Sequence, residues 1–274
     1  MSKKDFPYLH GFSETEQQRL RAQAEFGEYS IYQNVNFAGL KKIIEVGSGV
    51  GAQTEILLRR FPKLHVTGID LNDKQLEAAK KFISSISSAQ GRFDFQKMSA
   101  DDIKFQANTF DGAFLCWILE HVPNPAQVLS EVRRVLRPGA EIVITEVMNS
   151  SFFLDPYSPS LWKYWMAFND FQYEHAGDPF IGAKLGNLLT QVGFHQIKTD
   201  IKTWHFDNRN PDKRKQAIHY WTDLLLSAAD KLVQEKYVDE ETVKKAKEEL
   251  DRVANDPNAV FMYSFMQASA RVYY

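Results

Sequence analysis

The sequence predicts an α/β fold in which a mostly parallel sheet is doubly wound, with helices on both of its faces. Two observations carry that prediction. Short apolar runs alternate with longer helix-forming segments from Lys41 to Val147, which is the rhythm of right-handed βαβ units. A glycine-rich turn, EVGSGVG at 45–51, joins the first run to the first helix. It stands at the carboxyl end of a strand, where open α/β sheets bind ligands.

Taken in order, residues 13–26 open on Ser13, which suits a helix N-cap, and continue in helix-forming composition. Glu16, Arg19, Leu20 and Gln23 fall at i, i+3, i+4 and i+7 and so share one face. KKIIEV (41–46) reads as a strand, AQTEILLRRF (52–61) as a helix ended by Pro62, LHVTGID (64–70) as a strand and NDKQLEAAKKFISSI (72–86) as a helix. RFDFQKM (92–98) alternates at period two, FDGAFLCW (110–117) is an apolar strand, and PAQVLSEVRRVL (125–136) is a helix stopped by Arg137-Pro138-Gly139. AEIVITEV (140–147) supplies the fifth strand.

The rhythm then breaks. Residues 150–180 carry nine aromatics from Phe152 to Tyr173, with Pro156 and Pro159 among them. This stretch reads as a long loop without regular structure, a lid over a binding pocket. A helix is predicted at 181–193 and a strand at 194–206. A polar helical excursion follows at 211–256, with KKAKEELDR as a solvated face. Periodicity leaves 258–274 open between a last strand and a buried helix. One domain is expected over 1–274: cap helices in 1–40, a ligand-binding core in 41–149, the lid insertion in 150–180, and the rest of the core in 181–274.

Composition narrows the class of partner. The chain has 274 residues, 25% of them charged, and a net charge of −2. That balance gives no electrostatic reason to expect nucleic acid or an anionic membrane as partner. A single cysteine, Cys116, excludes an intramolecular disulfide and a cysteine metal cluster. The histidines lack ligand spacing, so no metal is expected. The N-terminus has two lysines but no apolar run, and no stretch approaches the roughly 20 apolar residues of a bilayer span. A cytoplasmic protein is the expectation.

The chemistry begins in the glycine turn. Gly47, Gly49 and Gly51 let the backbone turn sharply and let a ligand approach it closely. Asp70 ends the second strand, where a carboxylate can accept hydrogen bonds from both hydroxyls of a ribose. By itself this also fits the dinucleotide fingerprint with its acid about 20 residues on. Glu45 tilts the balance, because a carboxylate before the first glycine repels a pyrophosphate and attracts an ammonium group.

The run SADDIKFQANTFDGAFLCWILEHVPNPAQVLSEVRRVLRPGAEIVITE, residues 99–146, resembles the central block of Rossmann-like (class I) S-adenosylmethionine-dependent methyltransferases similar to the ubiquinone and menaquinone biosynthesis enzymes. NTFDGAF, ILEHV and VLRPGAEIVITE match that family's order and spacing, and HGFSETEQQRLRAQAEF resembles its N-terminal cap. The resemblance implies a seven-stranded sheet whose last strand is antiparallel. It also implies that Glu45, Gly47, Ser48, Gly49 and Gly51 surround the methionine part of S-adenosylmethionine. Asp70 would hold the ribose and Leu71 would pack on the adenine. Where many relatives place an aspartate against the adenine amine, this chain has Ser99, followed by Ala100 and Asp101. Cys116 and Trp117 would flank the methionine portion, and Gln23 would reach it from the cap.

The acceptor is expected to be a small molecule that the sequence does not identify. Candidate bases for its proton are His121, Tyr157, His175 and Glu174. In the lid, Tyr157, Trp162 and Trp165 are expected to face the acceptor, since aromatic faces favour a sulfonium or a cationic amine by about 0.5–2 kcal/mol per good contact. Two other functions stay open from the residues: a nicotinamide-dependent oxidoreductase, from the shared fingerprint, and a catalytically silent cofactor-binding partner subunit, because fold does not fix function.

Overall fold

A computed structural model describes residue 11 and residues 13–273. The expected cap before Ser13 therefore falls outside the described residues, Gly11 excepted. Helix α1 (Glu14–Tyr32) starts where Ser13 accepts a hydrogen bond from Glu16 N at 3.1 Å and runs six residues past its expected end. The five predicted core strands form as β1 (Lys42–Val46), β2 (His65–Asp70), β3 (Phe93–Lys97), β4 (Phe110–Cys116) and β5 (Leu136–Val147). Between them run α2 (Ala52–Arg60), α3 (Asp73–Ser84) and α4 (Pro125–Val135). Asn72 and Asn124 cap α3 and α4 through Gln75 N and Gln127 N, and Pro125 takes the first turn of α4, where no N–H is needed.

The expected lid is regular structure instead. It contains the short strand β6 (Phe153–Asp155) and the helix α5 (Pro159–Glu174). Tyr164, Trp165, Phe168 and Phe171 are buried along that helix. The aromatic crowding that reads as a loop in sequence is a helix whose apolar residues recur at helical spacing, which belongs in a core. Beyond it lie α6 (Leu185–Val192), β7 (His195–Phe206), α7 (Pro211–Leu226), α8 (Ala229–Gln234), α9 (Glu240–Asn255) and β8 (Val260–Arg271). The ambiguous last segment is thus a strand.

The sheet runs β3-β2-β1-β4-β5-β8, with β7 on the far edge of β8 and β6 on its near edge beside the start of the strand. Pairs β3·β2, β2·β1, β1·β4 and β4·β5 are parallel, while β8 is antiparallel to both β5 and β7. The antiparallel last strand holds. Among the described residues the expected count of seven becomes eight, because β6 adds three residues of pairing to β8.

Period two divides the sheet between two cores. Ile43, Phe114, Val143, Phe261, Tyr263 and Phe265 face one core, with side chains from α1, α2, α3, α5 and α7. Ile44, Val46, Ala113, Leu115, Ile142, Ile144, Ala268 and Ala270 face the other, with α4 and α6. Both faces are covered, as the near-continuous apolar strands require.

α9 supports α5 in a way that composition hides. Ser158 makes no side-chain cap for α5; Glu249 of α9 instead accepts hydrogen bonds from Ser160 N (3.2 Å) and Leu161 N (2.8 Å). A carboxylate on two first-turn N–H groups also meets the positive end of the helix dipole. Glu249→Ala is expected to lower unfolding free energy by about 2 kcal/mol, read from urea midpoints at constant slope. A change under about 0.5 kcal/mol would show that water replaces the cap.

Candidate cofactor and acceptor site

The strand order reverses between β1 and β4, and a cavity of 310 Å³ opens at the carboxyl ends of those strands, the switch point at which doubly wound sheets take ligands. Its floor is the glycine turn. Gly47 N and Ser48 N both donate to Ile69 O, at 2.9 and 3.0 Å, tying the turn to the end of β2. Gly47 has φ +76° and a Cβ there would stand 2.7 Å from the Ile118 side chain. Gly49 has φ +48° with nothing within 4 Å of where a Cβ would be, so its bare backbone faces open space. Asp70 accepts from Gly49 N (2.9 Å) and Asn72 N (2.9 Å), one bond on each carboxylate oxygen. Two of its four lone-pair positions remain for a ligand. Burial raises its pKa, and the backbone donors partly offset that.

Several expected site residues meet in this cavity. Gln23, Gly47, Ser48, Gly49, Asp70 and Leu71 line one part of it, and Cys116, Trp117 and His121 another. Leu71 is 62% exposed at the mouth, an apolar surface that a flat ring could cover. On α1, Arg19 bridges Glu16 (2.6 Å) and Gln23 (3.0 Å) along the predicted face. Burial pushes the Cys116 thiol well up, so it stays protonated and unreactive.

Other expected residues lie elsewhere. Glu45 does not line the cavity; it is 2% exposed beneath the turn, with Thr54 Oγ1 donating to it at 2.5 Å. Its position inside β1 turns the side chain under the glycines. Gly51 is the N-cap of α2, where a Cβ would meet Ala79 and Ile83 at 3.2 Å, so it serves the approach of α2 to α3. Ser99, Ala100 and Asp101 follow β3 outside the lining, and the Ser99 hydroxyl is bonded to the Asp101 carboxylate. Tyr157 is 69% exposed on the outer surface. His175 stacks on Phe171 at 4.0 Å, its Nδ1 2.8 Å from Phe171 O. Glu174 accepts from Tyr237 OH at 2.5 Å. Of the three lid aromatics expected to face the acceptor, Trp165 lines the cavity, as does Phe168 on the same helix, and Trp162 packs on Phe152 with centroids 5.6 Å apart. The turn just before α5 carries Tyr157 outward, and the last turn of α5 carries His175 away.

Sequence reasoning missed the far wall. Glu120 lines the cavity beside His121, with Glu120 Oε1 3.5 Å from His121 Nε2, while Gln172 Nε2 of α5 donates to Glu120 Oε2 at 2.8 Å. Glu146 Oε1 accepts from Ile118 N (2.9 Å) and Leu119 N (2.6 Å) and so fixes the turn that presents this pair. Burial, followed by the charge of Glu120, raises the Glu146 pKa well above the carboxylate range. Tyr220 and Trp221 of α7 and Tyr263 of β8 complete the wall. The signal for α7 was an adjacent Tyr-Trp pair following a polar first half of the helix.

A larger groove of 1240 Å³ lies outside this wall, between α1, β7 and α7, and shares Arg19, Trp204 and Tyr220 with the cavity. It contains neither the glycine turn nor Asp70. Among the described residues no group of three or more His, Cys, Asp or Glu is placed to hold a metal ion, and no helix is long and apolar enough to cross a membrane.

Comparison with known proteins agrees with this fold. Residues 44–144 match the family model described as a methyltransferase domain. The O-methyltransferase rstn1 of Aspergillus nomiae is 31% identical over 163 residues, 59% of this chain and 68% of that protein. The ubiquinone/menaquinone biosynthesis C-methyltransferase UbiE of Geotalea daltonii is 31% identical over 121 residues, 44% of this chain and 51% of that protein. The chain spans about half the length of several curated relatives that it matches. A crystal structure of a putative methyltransferase from Bacillus halodurans shares the fold, with TM-score 0.59 at 16% identity, over 93% of this chain and 99% of that one.

Proposed function

The chain belongs to the class I S-adenosylmethionine-dependent methyltransferase family, and from that premise we propose that it transfers the methyl group of S-adenosylmethionine to a small-molecule acceptor, leaving S-adenosylhomocysteine. The observation that carries this reading is the continuity of one cavity from the glycine turn and Asp70 to the His121–Glu120 pair.

The residues at the turn fit the cofactor. Gly49 offers bare backbone, Asp70 keeps two acceptor positions for ribose hydroxyls, and Ser48 Oγ and Gln75 Oε1 are buried without a hydrogen-bond partner among the described residues. Leu71 supplies an apolar surface for the adenine, and the Glu45 carboxyl lies buried beneath the turn. When bound, S-adenosylmethionine supplies an electrophilic methyl group on a sulfonium, already a good leaving group. What remains for the protein is orientation and exclusion of water.

The aromatic wall excludes water, and Gln172 and Glu146 fix the turn that holds Glu120 and His121. We assign removal of the acceptor's proton to this pair: His121 takes the proton and Glu120 stabilises the resulting imidazolium. Tyr157 and His175 have no place in the step.

The test is transfer of label from methyl-labelled S-adenosylmethionine into small molecules of a metabolite extract. Label is expected in a small molecule, in proportion to S-adenosylhomocysteine formed. Tight S-adenosylhomocysteine binding with no label transferred would favour the silent partner subunit. A melting shift with NADH alone would favour the oxidoreductase.

A further inference from the structure

The sheet ends on one side in a long strand edge with no strand beside it. Among the described residues β7 pairs with β8 alone. Every second residue of such an edge turns an N–H and a C=O outward, a ready template for another strand. The opposite end of the sheet is β3, five residues long, whereas β7 runs twelve. Gln196 has φ +51° and the register to β8 breaks between His195 and Lys198, a bulge of the kind that ends pairing. From Lys198 to Phe206 the register is unbroken.

The side chains of this regular stretch complement a reversed copy of themselves. Thr199 and Ile201 lie opposite Ala268 and Met266 of β8, and Thr203 continues their row on that face. All three are exposed, Ile201 by 57%. Lys198, Asp200 and Lys202 take the other face, where Lys202 Nζ bridges Asp200 at 2.6 Å. A two-fold axis perpendicular to a sheet pairs residues symmetrically about one central residue and keeps each on its own face. Centres at Lys198, Asp200 or Lys202 set like charges directly opposite, which is destabilising. A centre at Thr199 carries the pairing into the bulge, and one at Thr203 sets Asp200 and Lys202 against Phe206 and Trp204. A centre at Ile201 sets Ile201 against Ile201, Thr199 against Thr203 and Asp200 against Lys202. The order Thr-Asp-Ile-Lys-Thr at 199–203 is self-complementary.

We propose that two copies of this chain associate through β7, antiparallel about a two-fold axis at Ile201, so that their sheets join edge to edge. Asp200 and Lys202 of the two copies then alternate in a square of four charges beside the axis. On the other face the two Ile201 side chains cover each other between pairs of threonines, a favourable cross-strand arrangement. β7 also brings Trp204 to the cavity wall, so the second copy braces a strand that closes the cavity.

Sedimentation velocity of the full chain is expected to show a dimer, with Kd at or below about 10 μM. Ile201→Asp sets two carboxylates directly opposite each other and is expected to raise that Kd about tenfold or more, with the circular dichroism spectrum unchanged. Crosslinking reads the register. Cα atoms paired on the axis stand about 4.5–5.5 Å apart, within disulfide reach, so Ile201→Cys is expected to crosslink two copies on oxidation with copper-phenanthroline. In Thr199→Cys the two thiols lie four residues apart along the strands, about 14 Å, and no crosslink is expected. The parent chain, with Cys116 alone, is the control. The proposal is overturned if the parent chain sediments as a monomer up to about 100 μM, which would leave the edge to a strand of another protein. It is equally overturned if Ile201→Asp leaves a dimer intact, or if Ile201→Cys fails to crosslink where Thr199→Cys succeeds or neither does.

Discussion

Asp70→Ala is expected to weaken S-adenosylhomocysteine binding about 100-fold or more, as read by isothermal titration calorimetry. The carboxylate spends one lone pair of each oxygen on Gly49 N and Asn72 N, which fixes its orientation before any ligand arrives. Two hydroxyls donating to the remaining positions make charge-assisted bonds worth about 1.5–3 kcal/mol each, and about 3 kcal/mol in total already gives a factor above 100. Asp70→Asn keeps the shape and one acceptor oxygen, so its loss should be smaller, about tenfold. Losing the tether to Gly49 N could loosen the turn as well, so the urea midpoint of each variant is the control. Binding by Asp70→Ala within threefold of the parent chain, with stability intact, would place the ribose elsewhere.

Much of the fold was legible because its signals are local. EVGSGVG places a turn between a strand and a helix on backbone grounds alone, and Asp70 ends its strand at the spacing one βαβ unit imposes. Gly47, Gly49 and Asp70 therefore meet at one cavity, while Glu45, Gly51 and Asp101 fall outside its lining. The acceptor half was not legible, for physical reasons that differ by segment. In 150–180 Leu161, Tyr164, Trp165, Phe168 and Phe171 recur at helical spacing, but Trp162, Met166 and Tyr173 blur that period and the two prolines read as loop. In 258–274 the residues of β8 are buried on both sides, which erases the alternation that marks a half-exposed strand. Tyr220 and Trp221 meet Tyr263 only because α7 folds back over β8, a contact across some 40 residues of chain that no local pattern encodes. Glu120 was overlooked for its neighbour: in ILEHV the histidine drew the assignment, yet both side chains reach the cavity.

Glu45 gives the last and largest electrostatic effect. Its carboxyl is buried and accepts a hydrogen bond from Thr54 Oγ1, and desolvation dominates, raising its pKa to about 8, with the charge of Asp70 adding to the rise. Between about pH 4.5 and pH 8 the folded chain keeps a proton that the unfolded chain has released. The folded state binds more protons there, so stability falls as pH rises through that window, by up to about 5 kcal/mol, and is level above it. Glu45→Gln should remove this slope and leave the variant more stable than the parent at pH 8.5, as read from urea midpoints at a series of pH values. Ligand binding reads the same proton. At pH 7 the group is about 90% protonated, and a cationic methionine end seated on the turn favours the carboxylate. S-adenosylmethionine binding should then release a fraction of a proton approaching one. Titrations in buffers of different ionisation enthalpy measure it directly: the apparent enthalpy should vary with the buffer for the parent chain and not for Glu45→Gln. If the two show the same buffer dependence, the positive charge of the cofactor does not sit above Glu45.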